Sequence, residues 1–331
     1  MTPPNIFISS GNKSAAMINY AMHNKFFENV LYDLFDFGHN ISFSLFSSTG
    51  AYQALSVSTE KIDTKEKQQQ FAHSFLNTIE KGQSKAQLKF SAFSDDEINA
   101  HYFLHELMHF YQDMQGLYLL PIHEKGVFPT LLDAKSDVIS ILLCEAWAEV
   151  EAIRTSWALK ENGHPQGWNG AITSPDWKDL AISYDNDLEN GVDEAKAAAN
   201  IFQKWYEGKH RKFYEEHALK IHKINLNRFK EGVENLNESY VTQSFRVLEL
   251  PMLLARIPSG EIPNFFHQID WLNPLYNDIK TQQVLTEVKN LERVYGTTDN
   301  PNIQEIKCGS PPYLWNRLRL DQQNNSEIPP R

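Results

Sequence analysis

The stretch that decides the fold is His105-Glu106-Leu107-Met108-His109, or HELMH, an instance of the pattern HExxH. On an α-helix, residues four apart lie on the same face, about 6 Å apart along the axis. Two imidazoles placed in this way can bind one Zn²⁺ ion together, and Glu106 can then reach a zinc-bound water as a general base. The sequence therefore predicts a site for one zinc ion, with His105 and His109 as ligands and Glu106 as the catalytic residue.

The residues around the motif favour a helix. Ser94-Asp95-Asp96-Glu97 offers an N-cap and acidic residues for a first turn, and Gly116 offers an end. The alternative is a buried amphipathic helix whose histidines simply have hydrogen-bond partners. His101 extends the row of histidines, but it lies two turns, about 12 Å, from His109. Because one ion cannot span that distance, we expect His101 to lie on the surface or to support a ligand from behind.

A third ligand is expected on a second helix, since catalytic zinc sites commonly have three protein ligands and one water. Residues 131–159 contain no glycine or proline and carry apolar residues at helical spacing, which predicts one long helix. Glu145 follows an apolar run at 141–144, where a carboxylate without a cation is costly to bury, so we expect it to bind zinc. Glu149, one turn later, is expected to hold a ligand histidine or to bind zinc instead of Glu145. Asp137 is a further alternative for the third ligand.

HExxH followed by a helix with the pattern E-x-x-x-[D/E], here Glu145-Ala146-Trp147-Ala148-Glu149, resembles the gluzincin arrangement of zinc metallopeptidases. In that family the first acid binds zinc and the second supports a ligand histidine. The segments HELMHFYQD, EAWAE and AAANIFQKWY are also similar to uncharacterised bacterial metallopeptidases, over about residues 85–220. This chain departs from the compact family members in its longer gap between His109 and Glu145, and in having glutamate rather than aspartate as the second acid. The resemblance implies a zinc metalloendopeptidase that hydrolyses a protein or peptide substrate.

The patterns along the chain predict an α+β fold that is mainly helical, and the resemblance implies that this fold is zincin-like. Alternating segments at 41–46, 52–57 and 86–93 predict strands. We therefore expect a small mixed or antiparallel sheet packed against the HExxH helix and the second, carboxylate-bearing helix. A single catalytic domain is expected over residues 17–320, with its core at 85–220 and a helical C-terminal part at 221–320. Flexible segments are expected at 1–16 and 321–331, and a loop rich in Gly, Pro and Trp at 163–177.

Composition narrows the classes of partner. With 31 basic and 42 acidic residues, the net charge of −11 argues against binding nucleic acid or an anionic membrane through a basic surface. No Sec signal is expected, and no apolar run approaches the 18 residues of a membrane span. Two cysteines without metal-site spacing favour a reducing, cytoplasmic compartment. An intracellular bacterial protease and an effector exported without a cleaved signal would have the same composition and the same lack of a signal. The sequence does not predict the oligomeric state.

Two other functions fit the same sequence. One is a catalytically inactive zincin-like protein that keeps the zinc site, and the other is a helical protein-interaction module in which HELMH is coincidental. An active enzyme also needs a donor for the oxyanion that forms when water attacks a carbonyl. The sequence does not choose among the candidates for that role, which are Tyr240, Arg246, His164 and Tyr102.

Overall fold

The computed structural model describes the backbone of residues 11–36, 42–46, 51–53, 87–91, 96–114, 134–232, 245–247, 263–294 and 304–306, and the side chains within 16–31, 96–109, 111–112, 134–223 and 263–291. The helices in chain order are α1 Gly11–Met22, α2 Lys25–Asp36, α3 Asp96–Met114, α4 Ala134–Glu161, α5 Gln166–Thr173, α6 Lys178–Glu189, α7 Glu194–Glu207, α8 Lys209–Gly232, α9 Pro274–Asn277 and α10 Gln282–Val294, with a 3-10 helix at Asn264–Gln268. The strands are β1 Ser42–Phe46, β2 Ala51–Gln53, β3 Gln87–Ser91, β4 Phe245–Val247 and β5 Gln304–Ile306. The expected flexible tail at 321–331 lies outside the described residues.

The prediction of an α+β fold with a sheet packed against the HExxH helix is wrong. Of the residues described with their side chains, 83% are helical and none lies in a strand. The strands form two separate groups. In the first, β3 lies between β1, to which it is parallel, and β2, to which it is antiparallel. In the second, β4 pairs with β5 in parallel. In the described core, the apolar face of α3 is covered by other helices. The alternation of apolar and polar residues indicated strands correctly at 42–46 and 87–91. It could not indicate whether a sheet or other helices cover the apolar face of α3.

Helix α4 lies at the centre of the described core. It has 28 residues, and 20 of them are buried, on every side of the helix. A helix that is apolar all round needs neighbours all round, and α3, α5, α6, α7 and α8 supply them. The helix ends where Gly163 takes a positive φ of 87° and the His164 N–H donates to the Leu159 carbonyl at 2.8 Å. The predicted long helix at 131–159 is therefore present, shifted by two to three residues.

The segment 163–177, predicted to be a loop, contains helix α5. This helix lies directly against the start of α3, where the Asn169 amide donates to a Glu97 carboxylate oxygen at 2.8 Å. A Cβ atom on Gly170 would overlap the backbone carbonyl of Glu97, and one on Gly167 would overlap the Tyr20 hydroxyl. The glycines that made the segment look like a loop are there because two helices approach closely.

Residues 275–281 are held against α8 by a buried ion pair within that helix. Arg211 and Glu215 lie one turn apart, with the guanidinium Nε 2.8 Å from a Glu215 oxygen. Arg211 also donates to the carbonyls of Leu275 and Asp278. The Glu215 carboxylate accepts from the backbone N–H groups of Lys280 at 2.9 Å and Thr281 at 2.6 Å, just before α10 begins.

Within the described residues, no helix combines the length and apolar character needed to cross a lipid bilayer.

We expect Gly170→Ala to destabilise the protein by about 1–3 kcal/mol, since backbone atoms of α3 must move to admit the methyl group. Urea unfolding followed by circular dichroism measures this change. Gln166→Ala on the exposed side of the same helix is the control, with an expected effect within about 0.5 kcal/mol. Equal stability of the two variants would contradict the close approach of α5 and α3.

Candidate metal centre

Helices α3 and α4 run antiparallel and share a row of polar side chains in their buried contact. His109 lies opposite Glu145, His105 opposite Glu149, and His101 opposite Ser156. Residue numbers therefore fall along α3 as they rise along α4. Steps of four residues on α3, and of four and then seven residues on α4, keep the row on the facing sides of the two helices. The sequence placed each of these side chains on a helix, and the antiparallel packing brings them together.

Three atoms of this row converge on one point. The Nε2 atoms of His105 and His109 are 3.0 Å apart. One oxygen of Glu145, Oε2, lies 3.5 Å from His105 Nε2 and 3.3 Å from His109 Nε2. Ligand bonds of about 2.0–2.1 Å around a tetrahedral zinc ion place neighbouring ligand atoms about 3.3 Å apart. The three separations therefore match the spacing that zinc requires.

The outer nitrogen of each of these two histidines faces an acceptor. His109 Nδ1 lies 3.0 Å from Oε1 of Gln112, whose amide group donates to the Cys144 carbonyl at 2.9 Å. His105 Nδ1 lies 3.2 Å from Oε2 of Glu149, although its N–H does not point straight at that oxygen. We assign the proton of both rings to Nδ1, which leaves the lone pairs of both Nε2 atoms facing Glu145.

The charges around the rings favour positive charge between them. Burial alone lowers the pKa of His105, but Glu145, Glu149 and Glu106 outweigh that effect and raise its pKa well above the usual value. Burial alone raises the pKa of Glu145 and of Glu149, yet the histidines beside them hold both pKa values well below the usual range. Both shifts mean that positive charge is stabilised between the rings, either as a proton on an imidazole or as a metal ion.

The residues present fit a zinc ion. Two imidazole nitrogens and one carboxylate oxygen are a common ligand set for catalytic zinc, and here the group consists of His105, His109 and Glu145. Lone pairs 3.0 Å apart repel each other unless a proton or a cation lies between them. A cation removes that repulsion and balances the buried carboxylates at the same time.

Glu106 and two tyrosines interact electrostatically with residues of this row. Glu106 is only 5% exposed, and its charge acts on His105. Burial, with the charges of Asp176, Glu149 and Glu106, raises the pKa of Tyr102. Burial also raises the pKa of Tyr214 on α8, and so do the nearby carboxylates, including Glu145, with which its hydroxyl is hydrogen-bonded. Tyr214 was missed in the sequence, because only the packing of α8 on α4 brings it to Glu145.

The structure places the other candidates away from the three ligand atoms. The Asp137 carboxylate lies 2.8 Å from His222 Nδ1, two turns before Glu145 on α4. His164 stacks on His23 with ring centroids 3.8 Å apart, beyond the far end of α4. Glu149 faces the outer nitrogen of His105 rather than the point where the Nε2 atoms converge. His101 is fully buried and contacts Glu149, so of its two expected places, on the surface or behind a ligand, the surface is wrong. The side chains of Tyr240 and Arg246 lie outside the described part of the chain.

One family model matches part of this chain. No curated protein and no solved structure matches this chain. Residues 81–223 match the model of a family described as "Putative metallopeptidase family (DUF6782)". The matched region includes β3, α3 and α4 and ends within α8. The chain is thus similar to a metallopeptidase family across the whole of the candidate metal centre.

Proposed function

We propose that this protein is a zinc-dependent metallopeptidase that hydrolyses peptide bonds in a protein or peptide substrate. The observation that carries the proposal is the convergence of His105 Nε2, His109 Nε2 and Glu145 Oε2 beside Glu106. The similarity of residues 81–223 to a metallopeptidase family supports the same activity.

In this proposal His105, His109 and Glu145 hold one zinc ion, in the gluzincin manner. When bound, zinc supplies a Lewis acid that polarises the scissile carbonyl and makes water more acidic. Gln112 and Glu149 hold the two rings from behind, so that each presents the lone pair of its Nε2 atom.

Glu106 carries the proton in the proposed reaction. It follows His105 directly on α3, and its charge is felt by His105, Tyr102 and Tyr214. Its carboxylate takes a proton from the attacking water and delivers it to the nitrogen of the leaving amine. The Tyr214 hydroxyl, beside Glu145, donates to the oxyanion that develops on the scissile carbonyl.

Two alternatives make different predictions about metal and turnover. An inactive zincin-like protein would bind zinc without cleaving peptides. A helical interaction module would bind no zinc, and neither zinc nor a chelator would change its thermal stability.

We expect Glu106→Gln to retain one zinc per chain and to reduce turnover by about 10²–10⁴-fold, because the amide cannot accept the proton. Metal content by mass spectrometry and cleavage of a peptide library measure the two quantities. The control is Glu161→Gln at the exposed end of α4, which should behave like the wild type. Full activity of Glu106→Gln on a true substrate would show that the mechanism is wrong.

Glu145→Ala should weaken zinc binding by more than the roughly 10–100-fold that loss of an outer partner costs, since it removes a ligand atom. Competition with a chromogenic chelator gives the affinity, and Glu161→Gln is again the reference. An unchanged affinity would rule out Glu145 as the third ligand.

Tyr214→Phe is expected to lower kcat by about 10²-fold with zinc retained, since it removes one donor to the oxyanion. Steady-state kinetics and zinc titration of the same preparation separate the possible roles. Normal kcat with weaker zinc binding would mean instead that Tyr214 only holds Glu145.

A further inference from the structure

A buried chain of one ion pair and several hydrogen bonds runs from the back of His105 to helix α1. Glu149 has one oxygen on each side: Oε2 lies 3.2 Å from His105 Nδ1, and Oε1 lies 3.2 Å from His101 Nε2. The other nitrogen of His101, Nδ1, lies 3.2 Å from the Ser156 hydroxyl. Ser156 is hydrogen-bonded in turn to the Tyr20 hydroxyl, which accepts from the backbone N–H of Gly167 at 3.1 Å.

The donors and acceptors of this chain fit together in one consistent order. The Gly167 N–H can only donate, so the Tyr20 oxygen accepts, and the Tyr20 proton is directed to the oxygen of Ser156. Ser156 then donates to Nδ1 of His101, which places the proton of that ring on Nε2. In this order His101 donates from Nε2 to Glu149.

Burial makes this donation important for the carboxylate. Glu149 is 2% exposed and His101 is 0% exposed. A carboxylate in such a place is costly unless both oxygens have partners. The Trp177 ring packs on the His101 ring, with centroids 4.5 Å apart, and restricts its rotation. The position of the His101 ring thus determines where Oε1 of Glu149 can lie, and hence where Oε2 lies.

We infer that His101 is a positioning residue for the metal centre: it fixes Glu149 so that this carboxylate orients the His105 ring for zinc. His101 touches neither the three ligand atoms nor the space beside them, and it acts only through Glu149. The inference rests on the proposed function, since it concerns the same zinc ion.

The test measures zinc affinity by chelator competition, and the absorption spectrum of the Co²⁺-substituted protein, in purified full-length variants. His101→Leu removes the donor, and we expect about 10–100-fold weaker zinc binding and a shifted Co²⁺ spectrum. His101→Gln can still donate to Glu149 from its amide, so it should recover most of that affinity. Adding His101→Leu to Glu149→Gln should cost little more than Glu149→Gln alone, because the two residues act in series.

Serine variants serve if His101→Leu does not fold. Ser156→Ala removes the group that sets the tautomer of His101, and we expect weaker zinc binding than in Ser140→Ala. Ser140 is the matched control, since it is a buried serine on the same helix. Equal affinities of these two variants would then overturn the inference.

Three results separate the inference from the proposed function. A wild-type protein that binds no zinc overturns both. Tight zinc binding by the wild type, with the same affinity and Co²⁺ spectrum in a folded His101→Leu variant, overturns only the role of His101. A lower melting temperature without a change in zinc affinity would mean that the chain of hydrogen bonds stabilises the fold and nothing more.

Discussion

The buried antiparallel contact between α3 and α4 is the constraint on which the rest of the structure depends. It places Glu145 and Glu149 opposite His109, His105 and His101 within an otherwise apolar core. Buried carboxylates must be paired, and in this row each one lies between two imidazoles. The pairing sets the register of the two helices, because a shift of one residue would turn the row away from the contact. The position of the other helices follows from it: α5 packs on α3 through Gly170, and α8 packs on α4 with Tyr214 beside Glu145.

Much of the candidate metal centre could be predicted because its geometry is local to single helices. The four-residue spacing of His105 and His109 places two rings on one face wherever the helix lies. The spacing of Glu145 and Glu149 does the same on the second helix, and the absence of glycine and proline predicted that helix to within three residues. The choice of Glu145 over Glu149 as the residue facing both Nε2 atoms rested on the apolar run before it. That argument is also local, because it concerns only the cost of burying a charge.

The features that could not be predicted depend on contacts between distant segments. His101 was judged by its distance from His109, which is the right criterion for sharing an ion. That distance does not show that Ser156, 55 residues later, lies on the other side of the ring. Tyr214 comes near Glu145 only through the packing of α8. Gly167 and Gly170 belong to a composition typical of loops, and only the close approach of α3 and Tyr20 explains why a helix contains them. The predicted sheet failed for the same reason: alternation indicates a strand, whereas the layer that covers a helix is decided by tertiary packing.

Glu106 bears on whether the proposed centre is catalytic or only structural. A site that merely binds zinc is complete with two imidazoles, one carboxylate and the partners behind the rings. A further buried carboxylate adds negative charge to a region that already holds Glu145 and Glu149, and that charge acts on His105, Tyr102 and Tyr214. A purely structural site does not need this group. The group is useful where a proton must be taken up and passed on within reach of the ion. The presence of Glu106 at this position therefore favours a peptidase over an inactive relative that keeps the metal for its fold.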